Sequence, residues 1–75
     1  MTERHPEVQH VVDLLAPNPN LPRPLLDVSI RCADLRDNLL EQLQDGPELT
    51  AGLRKLLEAK DCFVRQALID GQDRP

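Results

Sequence analysis

At 75 residues the chain holds one domain at most, and a chain so short buries only about 60% of the surface its unfolded form exposes, so it leans on staples or partners. Two cysteines are too few for a disulfide framework, no run approaches the ~20 apolar residues of a membrane span, and the charged N-terminus lacks the apolar core of a signal peptide. Thirteen acidic against nine basic residues, a net charge of −4, argue against general attraction to the phosphates of a nucleic-acid polymer. The expected setting is the cytoplasm, with both thiols reduced. A compact anion is a separate case, because it needs only two or three well-placed cations.

In chain order, Met1 to His5 are too polar to pack, and Pro6 opens a short helix predicted over 6–16. Val8, Val11, Val12, Leu14 and Leu15 give it an apolar face. A helix of about eleven residues with three valines is marginal alone, so it must dock, on its own chain or on a neighbour's. Pro17, Pro19, Pro22 and Pro24 then rule out helix and sheet over 17–24 and favour an extended, polyproline-like strut. The plain reading of that strut is a rigid spacer; recognition by an aromatic-lined groove is the alternative.

The stretch 25–70 reads as a helical hairpin. Leu25, Val28, Cys32, Leu35, Leu39 and Leu43 recur in steps of three and four, which keeps one stripe on one side of a helix. Asp45-Gly46 is expected to stop it, with Gly46 free to take a left-handed conformation, and Pro47 suits the first position of the next helix. Leu49, Leu53, Leu56, Leu57, Phe63, Val64, Ala67 and Leu68 repeat at helical spacing until Gly71, with Glu48 in the first turn where it favours the helix dipole. A connection this short makes the two helices antiparallel. The second carries an apolar arc of about half its circumference, more than one partner helix covers. The expected fold is therefore all-α: a short N-terminal helix, a Pro-rich strut and a long antiparallel hairpin, assembled into a homo-oligomeric helical bundle.

On the same projection Arg36 falls among Leu25, Cys32, Leu39 and Leu43, and Lys60 falls among Leu53, Leu56, Phe63 and Val64. Antiparallel pairing about Gly46 sets Cys32 opposite about Lys60 and Arg36 opposite about Leu56, and Ser29 shares the Arg36 face. A cation at the middle of an apolar face must be paired or reach water. Two readings stand open. The side chains can snorkel, or pair with a carboxylate of an adjoining subunit; or Arg36 and Lys60, with Ser29 nearby, line a phosphate-binding pocket completed by oligomerisation.

Catalysis is not expected. His5 and His10 do not share a helical face and have no carboxylate or Cys partner at metal-ligand spacing, so no metal is expected. Asp34, Asp37 and Glu41 form a solvated face, no Gly-rich phosphate loop exists, and nothing calls for a cofactor.

The run from Lys55 to Leu68, with Leu57-Glu58, Phe63, Arg65, Ala67 and Leu68, follows a first helix closing on Leu39-Leu40-Glu41-Gln42-Leu43. It resembles the helical hairpin of phage anti-CBASS sponges and the related anti-Thoeris proteins, over about half the chain. The resemblance implies a sponge that binds a cyclic di- or trinucleotide, or a cyclic ADP-ribose signal, without turning it over. It implies action in the host cell cytoplasm if the chain is phage-encoded, and a homo-oligomer for which a hexamer is one candidate. It also implies phosphate contacts from Arg36, Lys60, Arg54 or Arg65. Such sponges are expected to stack a base on an aromatic ring, a role for which this chain offers Phe63 alone. The alternative is a helical adaptor or regulator that binds a partner protein through its apolar face.

Overall fold

A computed structural model describes residues 4–73 as three helices: α1, Pro6–Leu14; α2, Arg23–Gln42; and α3, Pro47–Asp73. Nδ1 of His5 accepts the Glu7 N–H at 3.1 Å and so caps the start of α1. The helix ends two residues before the expected 16. Ala16 precedes a proline, whose ring pushes the residue before it out of the helical region.

The connection from Leu15 to Pro22 is not the straight strut its prolines suggest. The side-chain oxygen of Asn18 accepts the Asn20 N–H at 3.0 Å and its carbonyl accepts the Leu21 N–H at 3.1 Å, which folds Asn18–Leu21 into a turn. Helix α2 then starts at Arg23 rather than Leu25 and takes Pro24 into its first turn, where a missing N–H breaks no hydrogen bond.

Two expected stops act differently. The chain leaves α2 through Leu43, extended at φ −113° and ψ 144°, and among the described residues no glycine has positive φ, so Gly46 is not a left-handed cap. At the far end α3 runs through Gly71 to Asp73. A glycine in a helix costs about 1 kcal/mol against alanine, which weakens a helix without ending it.

Leu43 and Leu49 share one depression with Leu39 and Leu53, while Val28, Cys32 and Leu35 share another with Leu56, Phe63 and Ala67. Falling numbers on α2 meet rising numbers on α3, so the two helices are antiparallel. Helix α1 lies beside them on its own chain, starting near the turn and running in the direction of α3. Val8, Val11 and Leu15 pack with Leu49 and Leu53 as the buried core, flanked by Val12, Leu40, Leu56 and Leu57. A nine-residue helix covers only ~13 Å of the ~40 Å length of α3, and the molecule measures 47 × 21 × 18 Å. The main core cluster therefore sits toward the turn end, while Ser29, Cys32 and Ala33 are buried further along α2.

A polar clasp fixes the start of α1. Nη1 of Arg4 donates to the Leu43 carbonyl at 3.0 Å and to Asp45 Oδ1 at 2.6 Å, and Nη2 donates to the Leu40 carbonyl. The His5 N–H donates to Asp45 Oδ2 at 2.6 Å. Arg4 and His5 were expected to stay unpacked; instead Arg4 reaches the Leu40 and Leu43 carbonyls at the C-terminal end of α2, where a cation is favoured by the helix dipole, and both residues bond the Asp45 carboxylate. The first three residues of that expected polar start lie outside the described residues.

Candidate functional site

Helical periodicity divides α2 and α3 into three longitudinal faces. One turns to α1. One joins α2 to α3. The third is open and runs along the side opposite α1, past Leu43, Leu39, Leu35, Arg31 and Val28 on α2 and past Gly52, Leu56, Phe63 and Gln66 on α3. The groove is apolar along its floor, and three of its members stand well out of cover: Leu35 and Leu43 are each 46% exposed and Phe63 56%.

The residues that sequence reasoning nominated divide among these faces. Arg36 is on the α1 side. Its side chain is only 13% exposed; Nε donates to Asp37 Oδ1 at 2.8 Å and Nη1 to the Val12 carbonyl at 3.2 Å, in the last turn of α1, which supplies no basic residue of its own. Ser29, further along the same side of α2, is fully buried, and its hydroxyl finds no hydrogen-bond partner among the described residues. Leaving a hydroxyl buried and unpaired costs about 1–3 kcal/mol.

Lys60 stands where α3 meets α2 and is half-buried. Burial pushes the Cys32 thiol of α2 up, and the Lys60 ammonium of α3 acts on it in the opposite sense. Among the described residues no carboxylate lies within ion-pair distance of Lys60. Cys32 is buried and Cys62 exposed, both as free thiols.

Phe63 is in the open groove. Arg54 and Arg65 are exposed, roughly 160–180° around α3 from Phe63, and Nη2 of Arg65 donates to Cys62 Sγ at 3.6 Å. Within one chain the six nominated residues therefore form no single pocket. Phe63 and Lys60 approach the same stretch of α2, Arg36 and Ser29 belong to the α1 side, and Arg54 and Arg65 face outward.

Two features escaped the sequence reading. Arg31 lines the groove beside Phe63; its place on the α2 projection next to Leu35 and Val28 was the available signal. The Asp45 carboxyl is held below the usual carboxylate range by the His5 backbone N–H and then by the Arg4 guanidinium. Nothing local in the sequence announces that clasp, because its partners are some 40 positions apart.

Among the described residues, no three His, Cys, Asp or Glu side chains gather as a metal ion requires, and no helix is long and apolar enough to cross a membrane. Compared with protein-family models, with curated proteins and with solved structures, the chain matches none.

Proposed function

We propose that this chain is a non-catalytic sponge that sequesters a cyclic nucleotide signal of the cyclic di- or trinucleotide or cyclic ADP-ribose type, working as a homo-oligomer. The resemblance of Lys55–Leu68 to the hairpin of anti-CBASS and anti-Thoeris proteins motivates the reading. Lys60 is the observation that carries it: a half-buried cation, with no carboxylate in ion-pair distance among the described residues, beside a groove that exposes Phe63. A cation so placed is the natural counter-charge for a phosphate, and a ring one turn away offers a base its stacking face.

Arg36 fits this reading less well, since its guanidinium already serves Val12 and Asp37. Arg54 and Arg65 face away from the groove and would reach a shared ligand only from a neighbouring subunit. In this proposal assembly is thus part of the binding site. Native mass spectrometry with cyclic di- and trinucleotides and cyclic ADP-ribose tests subunit count and ligand together. The expected result is an oligomer that takes up one of these nucleotides and loses it in Lys60→Met with unchanged helix content. Absence of binding by the whole panel overturns the proposal.

The apolar floor of the groove favours a second reading, a helical adaptor that receives an amphipathic helix from another protein. That reading predicts a chain indifferent to nucleotides and to Lys60→Met.

A further inference from the structure

The open groove is not uniform along its length. Its stretch away from the turn is a depression of about 470 Å³, within the ~300–1,000 Å³ of small-molecule sites. Leu56 and Ala67 of α3 form part of its floor, Phe63 stands exposed in it, and Arg31, Gln66 and Asp70 supply its charged and amide groups. The companion depression at the turn end shares the apolar floor but has neither a ring nor a cation.

Phe63, Gln66 and Asp70 follow one another at three and four residues, so ring, amide and carboxylate form a row ~10 Å long on one side of α3. Nε2 of Gln66 donates to Asp70 Oδ1 at 2.7 Å, which holds the carboxylate in place. Each carboxylate oxygen can accept two bonds, so both oxygens of Asp70 keep capacity for a ligand. On the opposite wall, Arg31 enters no ion pair among the described residues. A carboxylate is out of place beside a phosphate, and Asp70 is the member of the row farthest from Lys60. The ten residues between Lys60 and Asp70 rise ~15 Å, the span of a purine nucleotide with a hydrogen bond at each end.

We propose that this depression receives a guanine base. The Phe63 ring lies against the base, Asp70 accepts from its N1–H and N2–H₂ groups, and the phosphate turns toward Lys60 and Arg31. Two acceptor oxygens on one carboxylate match two adjacent donors, and guanine is the base that carries them on its pairing edge. Adenine puts an acceptor beside its amino group, which would meet a carboxylate oxygen lone pair to lone pair. Uracil has a single N–H between two carbonyls and fits no better. The inference rests on the reading of the chain as a sequestering protein and specifies the base of its ligand.

Isothermal titration calorimetry of the full chain with cyclic di-GMP and with cyclic di-AMP, at one ionic strength, tests it. The parent is expected to bind the guanine ligand at least tenfold more tightly. Asp70→Asn should remove most of that preference, because an amide has one acceptor oxygen where the carboxylate has two. Phe63→Ala should weaken whatever binding each nucleotide shows by a similar factor. Both side chains are exposed, and circular dichroism confirms that helix content is kept. Equal affinity for the two ligands, tighter binding of the adenine ligand, or a preference untouched by Asp70→Asn overturns the guanine site and leaves sequestration standing. Binding of neither ligand also overturns the guanine site, and sequestration is then decided by the wider nucleotide panel.

Discussion

Leu53 and Phe63 lie ten residues apart on one helix and obey the same apolar period, yet Leu53 is 1% exposed and Phe63 56%. The difference is α1. Around Leu53 the hairpin has a third helix, with Val8, Val11 and Leu15 closing over it; beyond Leu57 that cover has run out, and Phe63, Leu68 and Ile69 remain open. An amphipathic stripe records that a face is to be covered and is silent on what covers it. The half near the turn holds the main core cluster, and the other keeps much of its α3 apolar face exposed.

Substitutions that test this contrast should differ most at its two poles. Leu53→Ala leaves a cavity in the core and is expected to lower stability by about 3 kcal/mol, while Phe63→Ala in the dilute monomer should change it by less than about 0.5 kcal/mol. Chemical denaturation of both variants checks the pair. Leu15→Ala, on the covering helix, should cost about 2–3 kcal/mol; if it does not, α1 is not what closes the core.

The two inner cations give the next contrast. Arg36→Met removes a donor from the end of α1 and is expected to cost about 1–2 kcal/mol, whereas Lys60→Met, with no carboxylate partner to strand, should be neutral or slightly stabilising. Thermal melts decide this without reference to any ligand.

A weaker effect is expected at the clasp. Folding lowers the Asp45 pKa, so its contribution is fully present above the unfolded carboxyl value of about 4 and is lost as pH falls through the folded value. Stability should therefore fall on the acid side, and Asp45→Asn should flatten that part of the profile without adding any slope above neutrality. The smallest change expected is at Gly71, where alanine should stabilise the last turn of α3 by about a few tenths of a kcal/mol in a thermal melt.

The helical content was legible because Leu, Val and Cys recur at three and four residues and Pro47 marks a start unambiguously. Element ends were less so. Gly46 and Gly71 signal a stop only when a left-handed residue is needed; the turn takes its bend through extended Leu43, and α3 continues through Gly71. The prolines of 17–24 pointed to a straight strut, but the Asn18 side chain competes locally with extension. The odd placement of Arg36 on an apolar face was legible, and its contact with the last turn of α1 was not, since that depends on where α1 docks. The same holds for the Arg4–Asp45 clasp. The antiparallel course of α2 and α3 was legible in the short turn, which leaves the two helices little freedom to pair otherwise.

Amide hydrogen exchange along α3, at a dilution where the chain is monomeric and again at high concentration with nucleotide, tests the division of the hairpin most directly. Residues 49–57 are expected to be slow in both conditions, and residues 63–70 fast in the first and slow in the second. Equal protection along the whole of α3 in the dilute monomer would contradict the account, since the far half would then need neither ligand nor partner to be held.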